Sequence, residues 1–192
     1  MYKKYYKRTI DFFASLIGLL LLFPVLVIVT LLLTIANKGK PFFFQSRPGL
    51  NEKLFNIIKF KTMTDAKNKN GNLLPDSERL TILGKFIRKT SIDELPQLLN
   101  IFRGEMSFIG PRPERPQFVE QLIREIPYYN QRHNVKPGLA GWAQLNYPYG
   151  ASVEDSMEKL KFDLYYVKHQ SLMLDILILI RTVEVVLFGK GR

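Results

Sequence analysis

The sequence predicts a mainly helical α+β protein: an N-terminal re-entrant membrane helix, a small β-hairpin and several amphipathic helices. Three observations carry that reading. Residues 12–35 form a run of 24 positions without a single charge, interrupted near its middle by Pro24. Residues 42–60 hold two short aromatic and aliphatic segments around an Arg-Pro-Gly turn, the pattern of a hairpin. Beyond residue 80, helix-length segments alternate with turn-rich stretches, and several begin on capping residues or end on cations.

The apolar run exceeds the roughly 20 residues that a helix needs to cross a bilayer. It is too long for a signal-peptide core, and no small-residue cleavage site follows it. Pro24 removes a backbone hydrogen bond and bends the helix. Both flanks are positive, with Lys3, Lys4, Lys7 and Arg8 before the run and Lys38 and Lys40 after it. Lys and Arg prefer the cytoplasmic side, so symmetric flanks argue that both ends stay there. A kinked helix that enters and leaves one leaflet satisfies both observations; a single span with a proline kink is the alternative. The expected organisation is therefore an anchor over 1–38, a cytoplasmic domain over 39–188 and a short basic tail over 189–192.

Within the domain, residues 42–45 and 54–60 are expected to pair around a turn at 47–51. Residues 65–77, rich in Asn, Lys, Gly and Asp, read as a surface loop. A helix follows over about 80–89, with Arg88 and Lys89 in its last turn, where cations suit the helix dipole. Residues 115–126 form an amphipathic helix ended by Pro127. The stretch 128–146 is turn-rich; its Lys136, Pro137, Gly138 and Gly141 could hold backbone N–H groups against a ligand. Ser152 with Asp155 marks a helix start, running to about 168. Residues 171–188 are apolar but carry Asp175, Arg181 and Glu184, charges that argue against a bilayer span. That segment is expected to lie on the membrane or to close the core.

Composition narrows the partners. The chain has 192 residues, no cysteine, and 28 Lys and Arg against 17 Asp and Glu, for a net charge of +11. That is one domain, or one domain plus an anchor, with no disulfide framework or thiolate metal site. The excess charge calls for an anionic partner: nucleic acid, anionic lipid or a phosphorylated substrate. No basic recognition helix or aromatic sheet motif is present, so nucleic acid is not expected. A membrane-tethered nucleic-acid binder and a non-catalytic membrane scaffold are the rival readings.

The chemistry concentrates in SIDELPQLLN, residues 91–100. Asp93 and Glu94 stand at what reads as the start of a short helix, and capping is the ordinary explanation. Ser91 and Glu94 have capping-box spacing; Asp93 as N-cap would put Pro96 in the first turn, where it is tolerated. The alternative is chemical. A carboxylate can attack phosphorus to form an acyl phosphate, splitting one transfer into two steps. Its neighbour can hold Mg²⁺, which prefers carboxylate and phosphate oxygens. The Pro-Arg-Pro of residues 111–113 stiffens the backbone around Arg112, whose guanidinium fork matches an oxyanion. No Walker loop or kinase signature supports an ATP-driven reaction. His133 and His169 lack metal-ligand spacing and read as surface or core histidines.

Taken in order, the Pro-kinked segment, KFKTM at 59–63, DELPQLLN at 93–100, SFIGPRPE at 107–114, KPGLAGWAQLN at 136–146 and FDLYY at 162–166 resemble one family. It is that of the bacterial sugar transferases, the monotopic phosphoglycosyl transferases or polyprenyl-phosphate sugar-1-phosphate transferases. The likeness is strongest to the catalytic domain of exopolysaccharide-initiating members, which NYPYGAS at 146–152 and the C-terminal VVLFGKGR also resemble. The resemblance implies transfer of a sugar 1-phosphate from a UDP-sugar to undecaprenyl phosphate at the lipid bilayer, with release of UMP and with Mg²⁺ as cofactor. It implies Asp93 as nucleophile, Glu94 as its metal-holding or charge-handling partner, and Lys59, Arg88 and Arg112 as phosphate contacts. Asp163, Lys136 and Gln144 stand as supporting positions, and a homo-oligomer is left open. Two departures are visible. Phe23 precedes Pro24 where many members have Ser, and the extra N-terminal spanning helices of the larger members do not precede the apolar run here.

Overall fold

The computed structural model describes residues 2–148, 150 and 152–188; the expected basic tail at 189–192 lies outside them. A π-helical turn, Tyr2–Tyr6, leads into α1, Lys7–Ala36, with Pro24 inside it. Thirty residues make this helix about 45 Å long. Lys7, Asp11, Ser15, Val29 and Leu33 are buried, and Leu19, Leu22 and Leu26 pack on neighbouring core residues. These positions fall on one stripe at helical spacing. Phe13, Ile17, Leu20, Leu21, Phe23, Ile28, Leu31 and Ile35 lie exposed. An apolar surface of that extent marks contact with something other than water.

Strands β1, Phe42–Pro48, and β2, Leu54–Phe60, form the expected hairpin, with Phe42 opposite Phe60 and Pro48 opposite Leu54. The first strand runs on through Pro48, past the expected end at 45, and the turn tightens into a 3-10 segment, Leu50–Glu52. The surface loop that follows carries isolated bridges between Lys67 and Leu73 and between Met63 and Leu80, and a short helix α2, Asp76–Arg79. Helix α3, Ile82–Lys89, is capped by the Thr81 hydroxyl, which accepts from the Gly84 N–H. A 3-10 turn, Ile92–Glu94, then leads into α4, Gln97–Arg103, closed by Gly104 at φ +85°.

Strands β3, Ser107–Ile109, and β4, Gly138–Ala140, pair in parallel, an element that the sequence reading lacks. Between them lie α5, Pro116–Glu125, and a 3-10 segment, Tyr129–Asn134. The chain continues through α6, Trp142–Asn146, then α7, Val153–His169, and α8, Leu172–Phe188. The start of α7 is the expected one: Ser152 and Asp155 form a reciprocal capping box.

Helix α1 docks mainly on α4. Arg8 donates to the carbonyls of Ile101 and Phe102, both at 2.6 Å, at the C-terminal end of α4, where a cation suits the dipole. Phe12 stacks on Phe102. Farther along, Leu19 and Leu22 join a cluster with Ile57, Leu98, Ile101 and Met106. Beyond Pro24, Leu26, Val29 and Leu33 meet Phe60, Leu83, Ile87 and Ile92. At the other end, Lys7 Nζ lies 2.6 Å from Asp175 Oδ2, while the hydroxyls of Tyr2 and Tyr166 donate to the same carboxylate at 2.5 and 2.7 Å. Asp175 is thus a paired core charge, which explains its place in an apolar helix. Leu174 and Ile178 of α8 close the core, and Met173, Ile176 and Ile180 stay exposed.

Candidate functional site

Four elements bring their side chains together. β2 supplies Lys59, α3 supplies Arg88, the turn before α4 supplies Asp93 and Glu94, and the loop after β3 supplies Arg112. Lys59 Nζ lies 2.6 Å and Arg112 Nη2 2.8 Å from one oxygen, Glu94 Oε1. Among the described residues Asp93 is in no ion pair. Adjacent carboxylates have therefore been given different surroundings. Burial works against the charge on Glu94, but Arg112 and Lys59 outweigh it and hold the carboxyl at about 2. Burial raises the Asp93 carboxyl, the charge of Glu94 adds to the effect, and Lys59 and Arg88 oppose it only in part.

The local fold explains the arrangement. Asn100 of α4 accepts from the Ile58 N–H at 3.0 Å and donates to the Asn56 carbonyl at 2.8 Å, tying the helix after the dyad to the strand that carries Lys59. Ile92, beside Asp93, packs on α1. Arg88 Nε donates to Thr62 Oγ1 at 2.8 Å, and α3 lies so close to that segment that a Cβ on Gly84 would overlap the Thr62 carbonyl. Ser91 takes a left-handed conformation, φ +56°. The capping expectation needs correction here. Neither Ser91 nor Asp93 caps α4: the turn Ile92–Glu94 has no side-chain cap, and the N-cap position of α4 is Pro96. The dyad belongs to a separate turn ahead of the helix.

The supporting positions divide. Asp163 is buried away from the dyad, 2.8 Å from Arg132 Nη2. That same nitrogen donates to the Arg112 carbonyl at 2.8 Å. Lys136 sits half-buried beside Lys7, Arg8 and Asp11; burial, then the charge of Arg8, lowers its pKa, and it is no part of the cluster around Glu94. Gln144 is exposed on α6 and bonds to none of the cluster. His133 is buried, pushed down to about 4 by burial and by Arg132, while His169 is an exposed residue stacked on Tyr165. No group of three or more His, Asp or Glu side chains with metal-ligand geometry occurs among the described residues. Sequence reasoning missed Arg47, Thr62, Asn100 and Arg132. Thr62 and Asn100 lie inside the motifs KFKTM and DELPQLLN and were within reach; Arg47 and Arg132 carry no local signal.

The model of the bacterial sugar transferase family matches residues 2–189. A UDP-N-acetylgalactosamine-undecaprenyl-phosphate N-acetylgalactosaminephosphotransferase of Aeromonas hydrophila is 42% identical over 187 residues, which are 96% of this chain and 44% of that protein. The sugar transferase EpsL of Bacillus subtilis is 44% identical over 190 residues, 96% of this chain and 89% of its own. The undecaprenyl-phosphate glucose phosphotransferase of Komagataeibacter xylinus is 40% identical over 196 residues, 96% of this chain and 36% of its own. The chain thus spans less than half the length of the first and third relatives and most of the second.

Proposed function

Because the chain belongs to the bacterial sugar transferase family, we propose that it moves a sugar 1-phosphate from a UDP-sugar to undecaprenyl phosphate, releasing UMP and initiating a polysaccharide or glycoconjugate. Relatives named for undecaprenyl-phosphate sugar phosphotransfer support the substrate classes. The observation that carries the reading is the asymmetry of the dyad: Glu94 is paired with two cations and Asp93, among the described residues, with none.

Asp93 is the nucleophile. One of its oxygens attacks the phosphorus bonded to the sugar; the bond from that phosphorus to the bridging oxygen breaks, and UMP leaves with the electron pair. An oxygen of undecaprenyl phosphate then attacks the same phosphorus, the Asp93–phosphorus bond breaks, and the carboxylate is restored. Burial makes Asp93 more basic than an exposed carboxylate, hence a better nucleophile. Lys59, Arg88 and Arg112 stabilise charge on the transferring phosphoryl group.

A Mg²⁺ ion fits the residues present. Both cations at Glu94 sit on Oε1, so Glu94 Oε2 and the unpaired Asp93 would hold the ion together with the diphosphate. When bound, it supplies neutralisation of the diphosphate charge.

The anchor is read as re-entrant, with the site at the cytoplasmic face of the bacterial inner membrane. Lys7, at the start of α1, is tied to Asp175, and Leu33, near its end, packs on Phe60 and Ile87. Both ends of the apolar helix are therefore attached to one domain on one side, which supports the monotopic arrangement over a single span.

The test mixes protein in detergent micelles with UDP-sugar and Mg²⁺ but no acceptor, followed by intact-protein mass spectrometry. A phosphosugar adduct on the native chain and none on Asp93→Asn is the expected result; transfer that persists in Asp93→Asn would sink the assignment. A panel of UDP-sugars assayed for UMP release identifies the sugar.

A further inference from the structure

We propose that Arg132 is a positioning residue for Arg112, holding it through the main chain, and that Asp163 keeps Arg132 in place to do so. The inference rests on the reading that Arg112 meets the substrate phosphate, and it assigns a task to a buried ion pair lying away from the dyad.

Arg112 stands between Pro111 and Pro113. The two rings fix φ on either side, and Pro113 holds residue 112 extended. What remains is rotation of the peptide planes around Arg112, which swings the base of its side chain relative to Glu94. Two arginines stop that rotation. Arg132 Nη2 donates to the Arg112 carbonyl at 2.8 Å, and Arg47 Nη1 donates to the next carbonyl, Pro113, at 3.0 Å. Successive carbonyls of one loop are thus held by guanidinium groups from two separate elements.

Arg132 is itself fixed on three sides. It is 5% exposed; Asp163 Oδ2 lies 2.8 Å from Nη2, and Nη1 donates to the Tyr129 hydroxyl at 2.8 Å. The guanidinium also lies over the Tyr129 ring, 5.1 Å from its centre. A buried ion pair is a weak source of net stability, because desolvation offsets its attraction. A rigid planar fork is, however, well suited to hold a carbonyl at a set angle. Chain order fits the same task, since Asp163 from α7 and Arg132 from the 129–134 segment reach the loop from behind while Arg112 faces Glu94 in front.

Arg132→Lys is the informative variant. It keeps a cation beside Asp163 but loses the fork that serves the carboxylate and the carbonyl together. We expect the fold to persist by circular dichroism and kcat for UMP release to fall about 100-fold, the scale of a misplacement near 1 Å. In an Arg112→Ala background the same change should add less than about twofold, because the two residues act in series. The Arg112 guanidinium N–H signals, held beside Glu94 in the native chain, should lose that ordered environment in NMR spectra of Arg132→Lys and approach those of a free arginine. Arg112 signals unchanged by Arg132→Lys, or full additivity with Arg112→Ala, overturn the proposal. If the native protein releases UMP from no UDP-sugar, the functional reading fails and the Arg112 signals alone decide the positioning. If Arg132→Lys does not fold, Asp163→Asn carries the same measurements.

Discussion

Isosteric amides at the two dyad positions should have opposite effects on stability. Glu94 is held at about 2 against an ordinary 4.5, so the folded state favours its charged form by about 3 kcal/mol. Its side chain is 20% exposed, so solvent screening removes little of that. Glu94→Gln at neutral pH should therefore cost up to about 3 kcal/mol. The sign with pH follows from the depressed value. The contribution is fully present above about 4.5 and is lost as pH falls through about 2, so the gap between native and variant narrows on acidification. Asp93 is raised instead, first by burial and then by the charge of Glu94. Its ionised form is a burden on the fold at neutral pH, and Asp93→Asn should be neutral or stabilising while abolishing turnover. Guanidinium unfolding in micelles, followed through Trp142, measures both gaps from neutral pH to about pH 3. Equal costs for the two swaps, or a Glu94→Gln gap that does not shrink with acid, would refute the division of roles.

Two further outcomes follow from the packing. Gly84→Ala should cost about 1–3 kcal/mol by overpacking, because the new Cβ meets the Thr62 carbonyl; UMP release should drop by more than the melting temperature suggests, since Arg88 is displaced from Thr62. Lys7→Met should destabilise by about 3–5 kcal/mol, leaving Asp175 charged and buried without its ammonium. Thermal unfolding in micelles should show Lys7→Met with Asp175→Leu less damaged than Lys7→Met alone.

Much of the site was legible because its residues sit in short contiguous motifs. Asp93, Glu94 and Arg112 lie in stretches whose residues suggest phosphate chemistry, Lys59 was named only through the family resemblance, and Lys59 and Arg112 meet at Glu94 Oε1. The hairpin and the Ser152 cap were legible for local reasons, two apolar segments around an Arg-Pro-Gly turn and a three-residue spacing. The parallel pair β3 and β4 was not, since strands of three residues show no periodicity and their partnership spans an intervening helix. Asp163 was named as a supporting position, but its pairing with Arg132 escaped for the same cause: an ion pair between residues far apart in sequence leaves no trace in either neighbourhood. Lys7 and Asp175 are the extreme case, 168 residues apart. What reads locally as a basic flank and a misplaced acid is one buried contact.

The misplaced cap bears directly on the chemistry. A carboxylate that caps a helix accepts from backbone N–H groups of the first turn, and such bonds favour the ionised form and lower its basicity. Here the helix starts later. Pro96 has no N–H and no side-chain acceptor, and the left-handed Ser91 opens a separate turn that carries both acids ahead of α4. Glu94 in that turn takes the structural task, binding strand β2 through Lys59 and the β3 loop through Arg112. Asp93 has no side-chain partner among the described residues; burial first, and then the charge of Glu94, makes it more basic, while a bond from its own backbone N–H works the other way. Adjacent acids are separated by three-dimensional surroundings into one that ties two elements together through Lys59 and Arg112 and one that is in no ion pair among the described residues.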